Sequence, residues 1–251
     1  MKITCVTVPG TSHEECEDAV MIYTSEGEAV INHECCLTRE VAIPVLIAVA
    51  DGVGGNPGGR NASEYALKTL SGLNPDMETD MNAVYQEINT RIIDYARTVP
   101  GKESMATTLS VALITESNIR LTHTGNTRIQ VLNNGYLRQL TRDHTTYQFL
   151  MDMGNIEGAE HCNRCEITSC IGGGDKRNLS KTDSKDIERN GAQSVLLLTS
   201  DGVHEYVDID MIEDTLNDQS LNTEEKAKKL IETAQHNGSG DDLSVIIAEL
   251  K

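Results

Sequence analysis

The sequence has no tryptophan and a single phenylalanine among its 251 residues. Large rings therefore cannot fill the interior, and the core is expected to be built from aliphatic and small side chains. Bases are also scarce: 21 Lys and Arg face 39 Asp and Glu, for a formal net charge of −18. Such a surface repels nucleic-acid phosphates and anionic lipid, which argues against both as partners. Long hydrophobic runs are missing too. A membrane helix takes about 20 apolar residues, and the longest run here, 41–50, is too short and contains Pro44. No apolar export segment stands at the N-terminus, so a cytoplasmic location is expected. The seven cysteines form an odd set without paired spacing and read as reduced thiols. His161, Cys162, Cys165 and Cys170 are ligands that suit zinc, but their spacing is loose and no second motif accompanies them. Buried or idle thiols are the preferred reading.

What is present is a set of short apolar runs that end in acid. Val45–Ala50 runs into Asp51-Gly52, and Val195–Thr199 leads to Asp201-Gly202. Each reads as a buried strand closed by a sharp turn. Ala19–Tyr23 begins just after Glu17-Asp18, and a last apolar strand at 243–248 begins just after Asp241-Asp242. The runs at 45–50, 195–199 and 243–248 do not alternate, so both of their faces should be covered. Residues 57–70 and 80–98 carry helical spacing, and so do 208–217 and 223–236. Asn222 with Glu225 forms a capping box before the last of these. Residues 105–140 read as an antiparallel meander whose Asn134-Gly135 pair marks a hairpin. Residues 25–42 read as a loop or hairpin, 143–153 as a short helix, and 154–166 as irregular. Further strands are expected at 166–171 and 179–184. No repeat or linker interrupts the chain, which suggests one domain over 1–251 with an α+β plan of layered sheets and flanking helices.

Neighbouring antiparallel strands bring alternate ends to one edge, so the four acidic strand ends can meet. Carboxylates about 5 Å apart repel by roughly 3 kcal/mol per pair at an effective dielectric of 20. No regularly spaced base accompanies them, and oxygen-only ligands suit hard divalent cations such as magnesium or manganese. Two such ions on carboxylates form a design for phosphoester hydrolysis.

At this point the motifs resemble a known family, the metal-dependent protein phosphatases of the protein phosphatase 2C type. DGVGGNPGGRNAS at 51–63 agrees with every fixed position of the family pattern Asp-Gly-x-Gly-Gly-x-x-x-Gly-x-x-Ala-Ser. MATTLS at 105–110, TGNTR at 124–128, LTRDHT at 140–145, ITSCIGG at 167–173, LLLTSDGV at 196–203 and GSGDDLSV at 238–245 follow in the family's order. Ala106, Asn126, Thr127 and Asp242 replace the family's glycine, aspartate, serine and asparagine. The resemblance is to a divergent, bacterial-like branch. It implies a four-layer α-β-β-α sandwich of two antiparallel sheets flanked by antiparallel helix pairs, with a flap near 150–166 that meets substrate. It also implies that Asp51, Asp201 and Asp241 bind one metal ion, while Asp51, Glu17 and the Gly52 carbonyl bind a second. Asp18 would hold metal-bound water, with Asp242 beside it. A metal-bridging hydroxide would then attack phosphoserine or phosphothreonine in a protein substrate, within a Ser/Thr kinase pathway.

Departures from the family matter. His13 stands where members usually carry a phosphate-binding arginine, Cys16 replaces an asparagine, and Val53 replaces a histidine proposed as leaving-group acid. An imidazole donates to phosphate more weakly than a bidentate guanidinium. A possible third ion would draw on an acid after the Thr-Thr strand, and Glu116 is the nearby one. The alternatives to an active protein phosphatase are a pseudophosphatase binding module and a two-metal enzyme acting on small phosphoesters.

Overall fold

The computed structural model describes residues 1–12, 15–54, 57–174 and 181–251. In order come β1 (Lys2–Val8), β2 (Ala19–Thr24), β3 (Ala29–Asn32), β4 (Cys35–Glu40) and β5 (Val45–Ala50). Two long helices follow, α1 (Gly59–Leu73) and α2 (Met81–Ala96). Then come β6 (Ala106–Thr107), β7 (Leu109–Ile114), β8 (Asn118–Thr124), β9 (Arg128–Asn133) and β10 (Tyr136–Gln139). Short helices α3 (Thr146–Asp152) and α4 (Ile156–His161) lead to β11 (Ile171–Gly172), β12 (Asp183–Glu188) and β13 (Gln193–Thr199). After these lie α5 (Asp201–His204), α6 (Ile209–Asn217), α7 (Thr223–His236) and β14 (Leu243–Glu249).

The strands form two six-stranded antiparallel sheets, ordered β10-β9-β13-β14-β1-β4 and β12-β8-β7-β5-β2-β3, with β11 and β6 as a separate pair. Ile3, Ile47, Ala112, Ile129, Leu196 and Ile246 lie in the core between the two sheets. The outer face of the second sheet packs Met21, Leu46 and Val111 under Ala66, Leu70 and Ile88 of α1 and α2. The outer face of the first packs Leu197, Val245 and Ile247 under Ile212, Ala227 and Leu230 of α6 and α7. The result is the four-layer α-β-β-α sandwich. β5 is buried at every position, and β14 at every position but Glu249. A strand covered on both faces cannot alternate, which is why these read as continuous apolar runs. The capping box forms as expected: Asn222 accepts from the Glu225 amide, and the Glu225 side chain accepts from the Asn222 amide.

Four segments depart from the sequence reading. Residues 105–140 are not one meander. β8 pairs with β7 in the second sheet, whereas β9 pairs with β10 and β13 in the first. The turn at 125–127 therefore crosses between sheets, and alternation, which marks a face but not a sheet, cannot reveal that. Residues 25–42 hold two strands, neither a loop nor a hairpin, since β3 and β4 belong to different sheets. The stretch 154–166 contains α4, started by Asn155 accepting from the Gly158 amide. The strand expected at 179–184 is found at Asp183–Glu188, and residues 179 and 180 lie outside the described residues.

Candidate metal centre

One edge of the sandwich collects the acids because the register puts the relevant strand ends there. Ala19, which opens β2, pairs with Ala50, which closes β5. Val8, which closes β1, pairs with Leu243, which opens β14. β13 runs antiparallel to β14 and ends at Thr199. Asp18, Asp51, Asp201 and Asp241 thus all leave the sheets at the same rim. Asp201 differs from its expected setting in one respect: it opens the short helical turn α5 instead of ending a strand.

The carboxylates sense one another. Asp51 is held well above the usual carboxylate range by burial first, then by Asp18, Asp201 and Asp241. Burial, followed by Asp241, pushes Asp201 up to about 6, while a hydrogen bond from Asn126 opposes the rise. Asp18 is 1% exposed. Burial raises it, and the Ser244 and Ser200 hydroxyls beside it act in the other direction. Its Oδ2 is buried without a hydrogen-bond partner, a costly state that calls for a ligand. Among the described residues no three His, Cys, Asp or Glu side chains already form a closed ligand cage. The Asp51 and Asp201 carboxyls are within hydrogen-bond reach of each other, and Asp18 and Asp241 lie within electrostatic reach of Asp51.

Hydrogen bonds fix the main chain at Asp51 and Glu17. The Asp51 amide donates to Thr108 Oγ1 at 3.1 Å. The Asp51 carbonyl accepts from the Thr108 amide at 2.8 Å and from Thr107 Oγ1 at 2.9 Å. Asp242 clamps the N-terminal loop, accepting from the Gly10 amide at 2.7 Å and the Glu17 amide at 2.6 Å. Each such bond to a charged acceptor stabilises by about 1.5–3 kcal/mol. From the other side Ser63 Oγ donates to the Glu17 carbonyl at 2.6 Å, and Arg60 to the Cys16 carbonyl at 2.9 Å. The Glu17 carboxylate lies against the start of α1, where a Cβ on Gly59 would come 2.7 Å from Oε2. Glycine is needed there to leave the carboxylate room. Gly52 is buried between them and bridges to Thr107.

Sequence reasoning missed the residues that hold this arrangement. Asn126 Nδ2 donates to Asp201 Oδ2 at 2.8 Å. Thr127 Oγ1 lies 2.7 Å from Thr108 Oγ1, and Arg128 bonds Asp143 and Glu205. His144 Nδ1 accepts from the Gly125 amide at 3.2 Å and its Nε2 lies 3.0 Å from Asp183 Oδ2, which places the proton on Nε2. All except Glu205 and Asp183 belong to motifs quoted above, and that recurrence was the available signal. His13 lies outside the described residues, as do Gly55 and Asn56 of the glycine-rich motif. Glu116 sits in the turn after β7, at the opposite end of that strand from Thr108, so it is remote from the acids. The zinc-type group does not assemble: His161 Nδ1 lies 2.8 Å from the Glu157 carbonyl, and the Cys162 thiol donates to the Ala159 carbonyl.

The family model described as Protein phosphatase 2C matches residues 33–244. The chain belongs to the protein phosphatase 2C family. It is 30% identical over 214 residues to the serine/threonine protein phosphatase PstP of Mycobacterium tuberculosis, a match that covers 82% of this chain and 40% of that protein. The chain therefore spans well under half the length of that relative. It is 29% identical over 213 residues to the serine/threonine phosphatase stp of Listeria welshimeri, covering 81% of this chain and 84% of the relative. The crystal structure of the PstP catalytic domain in complex with two manganese ions superposes with a TM-score of 0.75 at 25% identity, covering 99% of each chain.

Proposed function

We propose that this chain is a magnesium- or manganese-dependent serine/threonine protein phosphatase. The observation that carries the reading is the convergence of Asp18, Asp201 and Asp241 on Asp51, whose carboxyl burial and these three neighbours hold well above the usual carboxylate range. The donor set is oxygen only, and the unpartnered Asp18 Oδ2 adds a further acceptor; both fit hard divalent cations. Family membership and the manganese-bound relative support the same assignment. Asp51, Asp201 and Asp241 would hold one ion, and Asp51, Glu17 and the Gly52 carbonyl a second. When bound, such ions acidify water and neutralise charge developing on a phosphoryl group.

The protein's own part is placement. Thr107 and Thr108 fix the Asp51 backbone, while Asp242 and Ser63 fix that of Glu17. Asp18 would orient water, with Ser200 and Ser244 beside it. His13 is the candidate donor to substrate phosphate. With Val53 at the position of the family's acid, this chain offers no side chain there to protonate the leaving alkoxide, so turnover on phosphoserine should be slow. Residues 150–166 would serve as the flap. Met151, Met153 and Ile156 are exposed there, and Cys165 is close enough to the cleft to feel Asp201, Glu205 and Asp241. Substrates would be phosphoproteins of a Ser/Thr kinase pathway. All seven cysteines are free, which supports a cytoplasmic setting.

The test is hydrolysis of p-nitrophenyl phosphate and of a phosphothreonine peptide by the purified chain, with manganese and after EDTA. Metal-dependent release of phosphate from both is expected. Release from the small ester alone would shift the assignment to small phosphoesters, and release from neither would leave a binding module.

A further inference from the structure

We propose that Asn126 is a positioning residue that acts through Asp201; this rests on the metal reading above and refines it. The chain crosses from the second sheet to the first at residues 125–127, and this crossing lies at the carboxylate rim. It carries no catalytic group of its own, yet it ties three parts of the site together. Gly125, at φ 112, packs against Thr108, and a Cβ on it would come 2.5 Å from the Thr108 Cβ. Thr127 Oγ1 lies 2.7 Å from Thr108 Oγ1, the atom that receives the Asp51 amide. Between them Asn126, 5% exposed, gives its amide nitrogen to Asp201 Oδ2 at 2.8 Å.

A carboxylate offers only acceptors, so the group facing it must donate. An amide supplies that donor without adding charge of either sign. Asn126 occupies one oxygen of Asp201 and, together with the Asp51 carboxyl on the cleft side, restricts its side-chain rotamer. The crossing is itself anchored from behind, since the His144 amide donates to the Gly125 carbonyl at 2.7 Å and the Gly125 amide to His144 Nδ1. A displacement at the crossing would therefore reach Asp201 through Asn126 and Asp51 through Thr108. Asn126 would act by ordering a ligand that otherwise samples several rotamers.

The experiment is manganese titration of the metal-free chain by calorimetry. Asn126→Leu keeps the side-chain shape and removes the donor; Asn126→Ala removes both and covers the case in which leucine fails to fold. Asn126→His restores a ring N–H at a similar distance from the backbone. Asn118→Ala, at the half-buried start of β8 and at the far end of that strand from the crossing, is the control. Expected are about tenfold weaker manganese binding in the Leu and Ala variants, equivalent to ~1.4 kcal/mol, recovery to within threefold in the His variant, and no change in the control. Affinity in the Leu and Ala variants within twofold of the unaltered protein overturns the proposal and leaves the metal reading standing. Equal loss in all three Asn126 variants overturns it in favour of simple packing. An unaltered protein that binds no manganese overturns the metal reading and this proposal with it.

Discussion

Replacing Asp51 by asparagine should make the metal-free protein more stable while removing its response to metal. In the folded chain Asp51 is half-buried and faces Asp18, Asp201 and Asp241, and burial with these three carboxylates raises its pKa. An ionised close pair about 5 Å apart costs about 3 kcal/mol at an effective dielectric of 20. Proton uptake and water relieve part of that cost, so a gain of roughly 1–3 kcal/mol is expected from the neutral isostere at pH 8 in EDTA. For a protein of this size each kcal/mol moves the melting temperature by about 2–4 °C. The sign with pH follows from linkage. The folded Asp51 keeps its proton to higher pH than the unfolded one, whose pKa is about 3.9. Over that window the unfolded state binds fewer protons, so the unaltered protein loses stability as pH rises. Below about pH 4 the group is protonated in both states, and the two proteins should differ least there. Added manganese should then reverse the order: at 100 times its dissociation constant it stabilises the unaltered protein by about 2.7 kcal/mol and the variant by much less. Calorimetric melting between pH 4 and 8, with EDTA and with manganese, measures all three effects. A variant no more stable than the unaltered protein at pH 8 in EDTA, or a gap that does not widen with pH, refutes the electrostatic account of this cleft.

Other outcomes can be checked separately. Asp201→Asn should lower phosphatase turnover by well over tenfold, ~1.4 kcal/mol of barrier, with the circular dichroism spectrum unchanged; retention of more than a tenth of the rate removes Asp201 from the ligand set. Gly59→Ala should weaken manganese binding, because the new Cβ would come 2.7 Å from Glu17 Oε2; alanine ordinarily favours a helix by about 0.5–1 kcal/mol, so metal-free melting should not fall along with the affinity. His123 is pushed down to about 3, chiefly by burial. Its unfolded ring takes up a proton below about pH 6.5, so this residue costs the fold stability as pH drops from there toward 3. His123→Asn should flatten that acid limb in a pH series of urea midpoints.

The sequence revealed the parts of the fold that lie inside one element and hid those that depend on which elements meet. β5 and β14 could be identified because burial on both faces leaves no polar position. α2 could be identified because Met81, Val84, Tyr85, Ile88 and Ile92 repeat at helical spacing and all reach the core. Likewise Glu17, Asp51, Asp201 and Asp241 stood out as acids at apolar strand ends. The crossing at 125–127 was invisible, since Leu121 and Val131 alternate in the same way whether their strands pair or part. β3 and β4 are edge strands with no fully buried position, so no core-facing pattern separated two strands from a loop or hairpin. The roles of Asn126 and Thr108 depend on contacts across 75 and 57 residues, and no local pattern encodes a partner so far along the chain.

The Asp242 clamp carries a consequence for how the protein comes into being. The Glu17 loop is pinned from residue 242, and β14 fills the middle of its sheet between β13 and β1. A growing polypeptide that has emerged only as far as residue 230 owns most of its acids but has nowhere to seat them. One sheet is then left with an open slot, and the metal centre should assemble only once β14 has taken its place between β13 and β1.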